Sequence, residues 1–425
     1  MTIIRRLFIL SWFVILLTSC APAPSNSNTT VSQATPSAAA LVSPSPAASS
    51  ETASVDVTLP LLDALLTDDK FVAGLKQNVK LTDEQIESVK RASGADIARL
   101  REANAEELDG TNGNPREHAA EELRKILGEQ KARDLAAFAN EYWSKGDPSE
   151  ASNDGVQMLK GPNAVPTDTR VVVNIPAFRM DLFEDGSLVK SYKVGIGYPE
   201  FPLPLGIRKA QQIIINPSWT PPDSPWVAKM KNVTAGETVE PGDKDNPLGI
   251  IKIPIGLPSL IHGGKSAAKL GKFASHGCVG LTNAQVKDFA VLLAQASDTD
   301  DVSSKLDSYL QDKERTETVK LNQTVPVELR YETIVLEDGK LHIYKDVYAQ
   351  ETNTEENVRS VLEANGTRFE DLSEQQRTQI LNALKDTKKE TVIDISSVAK
   401  KGYPAPVNLD TGNTDKRKSK PRIKS

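Results

Sequence analysis

Two short words, Ile261-His262-Gly263-Gly264 and Ser275-His276-Gly277-Cys278-Val279-Gly280, place two of the chain's four histidines close to one of its two cysteines. A thiolate is the reactive form of cysteine, and a nearby imidazole both lowers the thiol pKa and carries a proton to a leaving amine. Gly277 has no side chain to keep a backbone N–H away from a substrate carbonyl. Together these residues suit acyl transfer, with N–H groups near Gly277 and Cys278 offering an oxyanion hole. Spacing alone favours His276 as the base, because residues two apart on a strand face the same side. A rival chemistry is a metal site in which His262, His276 and Cys278 supply three ligands and leave a fourth position open. No Cys-x-x-Cys or His-Glu-x-x-His accompanies them, which weighs against it.

The run of His262 and Gly263, a short spacer, then Ser275-His276-Gly277-Cys278 resembles the signature of the L,D-transpeptidase (YkuD-type) catalytic family. Asn216-Pro217-Ser218-Trp219-Thr220-Pro221-Pro222 and Asn246-Pro247-Leu248-Gly249 resemble further family segments in the expected order. The likeness runs from about Asp168 to Tyr348, under half of the chain. It implies Cys278 as nucleophile and His262, rather than His276, as general base and acid, oriented by the backbone carbonyl of Gly263. Gly277 with Cys278 would bind the oxyanion, and Ser275, His276, Gly264, Gly280 and Trp219 would shape the substrate pocket. The implied reaction is a peptidoglycan L,D-transpeptidation. Cys278 forms a thioester with a stem tetrapeptide and releases D-Ala, then passes the acyl group to an amine, giving a three-to-three crosslink or attaching a wall protein. Water as acceptor would make a carboxypeptidase, and a non-catalytic peptidoglycan-binding lipoprotein is the reading without chemistry. The scheme requires no metal and no organic cofactor. Three positions depart from the family pattern: Gly280 stands where Arg is common, so a bidentate carboxylate contact is lost; Leu203-Pro204-Leu205-Gly206 replaces Thr-Pro-x-Gly; and Gly264 replaces Thr or Ser.

A β-rich frame must carry these words. Val171 to Val173 begin a strand, and Asp185-Gly186 is a hairpin turn between Met180–Phe183 and Leu188–Val194. Ile213 to Ile215 and Ile250 to Ile255 add strands. Val325 to Leu336, Asp338-Gly339 and Leu341 to Tyr348 repeat the strand, turn and strand pattern. One amphipathic helix is predicted over Asn283 to Ala296, with Val286, Phe289, Ala290 and Leu293 on one face. Polar Ser297 to Lys320 reads as an insertion. The fold class is therefore multi-domain: a β-rich L,D-transpeptidase-like domain of mixed sheets with one or two helices, over 168–348, flanked by small α-helical regions at 58–150 and 349–410.

In the first flank, Thr82 and Gln85 form a capping-box pattern ahead of Ile86, Val89, Ile97 and Leu100. A second helix is predicted from Arg116 to Ser144, parted from the first by Asp109 to Gly113. Nothing in this flank suggests chemistry, and it reads as a spacer. In the second flank, Ser373 and Gln376 repeat the capping box, and Leu372-Ser373-Glu374-Gln375-Gln376 echoes Leu81-Thr82-Asp83-Glu84-Gln85.

The chain opens with Arg5 and Arg6, an apolar run from Leu7 to Leu17 that is too short for a comfortable membrane span, and Leu17-Thr18-Ser19-Cys20, which resembles a lipobox. This predicts a signal peptide over 1–19 and a lipid on Cys20. Residues 20–57, rich in Ala, Pro, Ser and Thr, read as a disordered tether of roughly 35 Å as a flexible coil. The anchor predicts a place on the periplasmic side of the envelope, on the outer membrane given Ala21. Cys278 then has no disulfide partner in the chain, so its retention points to reactivity. A net charge of −6 gives no general reason to expect nucleic-acid binding, although 411–425 form a basic tail.

Overall fold

The computed structural model describes residues 57–102, 114–145, 156–222, 227, 230–256, 258–299, 302–386, 389–399 and 402–412. The predicted signal peptide, Cys20, nearly all of the tether, the Asp109–Gly113 break and the basic residues from Lys416 onward lie outside the described residues.

The first folded region is helical: α1 (Leu59–Leu65), α2 (Asp69–Gly74) running into a π-helical turn, α3 (Asp83–Glu102), α4 (Pro115–Leu127) and α5 (Glu129–Lys145). Thr82 and Gln85 cap α3 reciprocally, each backbone N–H donating to the other's side chain at 3.2 Å. Ile86, Val89, Ile97 and Leu100 are buried on the face their spacing predicts. The single helix expected over Arg116 to Ser144 is instead two. Asn114 caps α4 with Pro115 in its first turn, and Gly128, at φ +76°, stops it while donating its N–H to the Arg124 carbonyl.

The central region holds β1 (Arg170–Asn174), β2 (Arg179–Glu184), β3 (Ser187–Lys193), β4 (Ile196–Gly197), β5 (Gly206–Ile215), β6 (Ile251–Pro254), β7 (Leu260–His262), β8 (Phe273–Ser275) and β9 (Val279–Gly280). It continues with α6 (Asn283–Ala296), α7 (Val302–Gln311) and β10 (Glu317–Arg330). Eight strands form one mixed sheet in the order β3-β2-β1-β10-β5-β6-β7-β9, and β4 pairs in parallel with β8. Val171, Val173, Ile213, Ile215, Ile253 and Ile261 face a common core that α6 closes with Val286, Phe289, Ala290 and Leu293. Ser297 to Lys320 is no insertion. Its α7 buries Val302 and Leu306 in this core, and Glu317–Lys320 pair with Gln212–Ile215 of β5. Its polarity arises because α7 exposes Lys305, Asp307 and Ser308, residues 311–316 are exposed, and in Glu317–Lys320 every second residue faces water.

The run Val325 to Leu336 also divides. Asn174 donates its side-chain amide to the Glu332 carbonyl and accepts the Glu332 N–H, turning the chain out of the sheet after Arg330. The following β11 (Ile334–Glu337) and β12 (Lys340–Ile343) join β13 (Thr391–Asp394) in a separate three-stranded sheet. Its apolar face packs on α8 (Glu355–Ala364) and α9 (Glu374–Lys385) in one core. Two strands grouped by sequence with 168–348 therefore share their core with the region after 348, which is α/β rather than purely helical. Beyond β13 the chain returns to the large sheet. Tyr403 packs edge-on against Phe183, and Val407 and Asp410 hydrogen-bond to Ser191 and Lys193, covering the open edge of β3.

This arrangement predicts that a chain ending at Tyr348 is unstable. It uncovers Ile334, Leu336, Leu341 and Ile343, each at most 1% exposed, together with the β3 edge. Thermal melts should place it more than about 5 °C below a chain ending at Gly412, or show aggregation. Equal melting would overturn the shared core.

Candidate active site

The pairing of β7 with β9 is parallel, with Ile261 opposite Val279 and His262 opposite Gly280. Across β7 the antiparallel partner of His262 is Lys252 of β6. Lys252, His262 and Gly280 thus form a row across three strands on one face, with Cys278 two residues before Gly280 at the mouth of β9. On its other side Gly280 exchanges both backbone hydrogen bonds with Gly195.

His262 is 3% exposed, and its Nδ1 lies 2.7 Å from the Gly263 carbonyl. A carbonyl can only accept, so Nδ1 carries the proton and Nε2 is left as the acceptor of the ring. The turn after His262 is held from α6. Asn283 Oδ1 accepts the Gly264 N–H at 2.9 Å and the Ile250 N–H at 3.2 Å. That oxygen also leaves no space for a side chain at Gly263, where a Cβ would come within 2.6 Å of it. Burial, then the charge of Lys265, pull the His262 pKa down to about 3 against the carbonyls of Gly263 and Leu248. The ring is neutral at physiological pH.

Cys278 is half-buried with its thiol free. Burial pushes its pKa up, while the main chain at Leu260 and the charge of Lys265 pull it back. Thiol and imidazole therefore rest as a neutral pair. Gly277, at φ +89°, occupies backbone space that side chains rarely enter. Its N–H has no acceptor among the described residues. The Cys278 N–H, expected to share the oxyanion hole, is instead donated to Ser275 Oγ at 3.0 Å, and that hydroxyl donates to the Cys278 carbonyl. The tight Ser275 turn consumes this donor and leaves the Gly277 N–H as the one without an acceptor of the two.

His276, favoured as base by spacing alone, packs edge-on against Phe201 at 4.6 Å and near Tyr198 at 5.7 Å. Among the described residues no group of three or more His, Cys, Asp or Glu side chains is placed to hold a metal ion. Trp219 joins Leu248 and Leu260 in a small apolar cluster beside β7. The two Asn-Pro words meet physically. Asn246 donates its side-chain amide to the Pro217 carbonyl at 2.7 Å and accepts the Leu248 N–H at 3.0 Å. Asn216 donates its own amide to the carbonyls of Tyr309 and Asp312.

Sequence reasoning missed Asn283, Lys252 and Lys265. Asn283 is 19 residues from the Gly264 it holds, and no periodicity links them. Lys265 could have been suspected, because it directly follows His262-Gly263-Gly264. Gly280, where the family pattern has Arg, is covered by the Lys265 side chain: a Cβ there would stand 2.8 Å from Lys265 Cγ and 3.0 Å from Cε.

Residues 168–305 match the family model of the L,D-transpeptidase catalytic domain, YkuD. Over 124 residues the chain is 32% identical to "Probable L,D-transpeptidase YbiS" of Escherichia coli strain K12, covering 28% of this chain and 39% of that protein. It is 28% identical over 125 residues to "Probable L,D-transpeptidase ErfK/SrfK" of the same strain, covering 28% and 38%. The chain thus spans about two fifths of the length of these curated relatives. Among solved structures, it is similar to the catalytic domain of the E. faecium L,D-transpeptidase at 16% identity, 39% of this chain, all of that chain and a TM-score of 0.26. It is similar to the L,D-transpeptidase from Mycobacterium smegmatis at 14% identity, 38% of this chain, 58% of that chain and a TM-score of 0.24.

The buried imidazole makes stability depend on pH. The unfolded chain takes up this proton below about 6.5 and the folded chain only near 3, so the stabilisation is complete above 6.5 and declines on acidification toward 3. Urea unfolding should show wild type losing up to about 1.4 kcal/mol per pH unit more than His262→Gln below pH 6. Parallel pH profiles would contradict a depressed His262.

Proposed function

Taking residues 168–305 as an L,D-transpeptidase catalytic domain of the YkuD type, we propose that the chain is a peptidoglycan L,D-transpeptidase with Cys278 as nucleophile. The observation that carries this reading is the bond from His262 Nδ1–H to the Gly263 carbonyl, which leaves Nε2 as a proton acceptor on the strand beside Cys278. Cys278 Sγ–H gives its proton to Nε2 as the sulfur attacks the carbonyl that joins the third stem residue to D-Ala. The Gly277 N–H donates to the oxygen as it becomes anionic. The tetrahedral intermediate collapses with loss of D-Ala, whose nitrogen takes the proton from the imidazolium, and a thioester remains. An acceptor amine then attacks the thioester and gives its proton to His262. The sulfur leaves as thiolate and regains a proton, completing a three-to-three crosslink or the attachment of a wall protein.

The same reading places the enzyme at the periplasmic face of the envelope, held by a lipid on Cys20. It acts on peptidoglycan stem peptides, with the 20–57 segment setting its reach.

Carbapenems carry a strained acyl group and should acylate the same sulfur. Intact mass analysis should find one adduct on the wild-type chain, assigned to Cys278 by peptide mapping and lost in Cys278→Ala. Incubation with purified muropeptides should yield dimers with release of D-Ala. Release without dimers would identify water as the acceptor. No adduct and no product would overturn the mechanism.

A further inference from the structure

We propose that Lys265 is the positioning cation of the nucleophile, seated on the bare backbone of Gly280 so that the charge left on Cys278 after proton loss is paired inside the cleft. This deepens the transpeptidase reading by assigning a residue to the sulfur's ionisation.

The seat is geometric. In the row Lys252–His262–Gly280, the third position has no side chain, and the Lys265 stem fills it. With contacts of 2.8, 3.0 and 3.4 Å to Cγ, Cε and Cδ, a β-carbon at 280 would displace the stem along most of its length. The Lys265 backbone is fixed as well, donating to the Leu281 carbonyl at 3.0 Å, while the Leu281 N–H donates to the His262 carbonyl at 2.8 Å. The side chain is half-buried, its stem lies against Gly280 two residues from Cys278, and among the described residues no carboxylate pairs with its ammonium. A half-buried cation with no carboxylate partner among the described residues, beside an ionisable sulfur, becomes the counter-ion of the thiolate once the proton has left.

The groups around the sulfur are few. Lys265 approaches from the loop after β7, His262 stands on β7, and Lys269 acts through Lys265 from a short helical turn. Lys252 on β6 donates to the Ser218 carbonyl at 3.3 Å, and His276 packs against Tyr198 and Phe201. The Lys265 charge favours loss of the proton from Sγ, which goes to His262 during acylation and to water when a small electrophile reacts. It disfavours the imidazolium that forms, which helps pass the proton to the departing amine.

The test is alkylation of Cys278 by iodoacetamide in the full chain between pH 5 and 10, read by mass. Lys265→Met keeps an unbranched stem on Gly280 but removes the charge. It should move the half-maximal rate to higher pH and slow alkylation at pH 7 about tenfold. Lys265→Arg should restore most of the rate. Gly280→Ala, which keeps the charge but displaces the stem, should shift the profile in the same direction as Lys265→Met. Thermal melts check that each variant folds. Coincident profiles for folded Lys265→Met or Gly280→Ala and wild type overturn the assignment. Muropeptide turnover by wild type separates the two readings: turnover with coincident profiles removes only the role of Lys265, and shifted profiles without turnover remove only the transpeptidase.

Discussion

A two-residue strand, Val279–Gly280, pairs in parallel with Leu260–His262 at the end of an eight-stranded sheet, and the proposed chemistry depends on that register. A slip of one residue would turn His262 and Gly280 to opposite faces. The register is secured from both sides: Gly195 exchanges two backbone hydrogen bonds with Gly280, and Asn283 of α6 holds the turn that follows His262. The helix is fixed in turn by the reciprocal cap between Thr282 and Gln285 and by the burial of Val286, Phe289 and Leu293. Packing energy far from the thiol thus becomes positional precision at the thiol.

Burial sets the protonation states. Desolvation disfavours both the thiolate and the imidazolium, so the pair rests neutral. Such a site needs donors and cations that are already in place when the charge develops, because few waters can reorient to meet it. In the proposed reaction the Gly277 N–H and the Lys265 ammonium are such groups, and both depend on glycines. Gly277 adopts a backbone conformation rarely open to other residues, and Gly280 leaves the room in which the Lys265 stem lies.

The regions flanking the central sheet are parts of its structure rather than appendages. The strap over Tyr403–Asp410 covers β3, and Gln285 at the start of α6 donates to the Asp410 carbonyl, tying that strap to the helix beneath the site. At the other end Thr58 donates to the Glu200 carbonyl at 2.7 Å, in the loop that supplies Tyr198 and Phe201 to His276.

Local signals were strong enough to define several elements. The Asn283–Ala296 helix, the Asp185-Gly186 and Asp338-Gly339 hairpins and the alternating strands follow from periodicity, caps and turn residues, which act within a few positions. The sequence also brought His262 and Cys278 to notice, because a free thiol and histidines in glycine-rich words are rare combinations. It did not determine by spacing which histidine lies on the strand paired with β9, where Glu317–Lys320 pair, that β11 and β12 leave the main sheet, or that Cys278 N–H is consumed by Ser275. Nor did it reveal Lys265 lying over Gly280. Those outcomes depend on contacts between residues on different strands and loops, and only the assembled sheet and its packed core decide which side chains come to share one face.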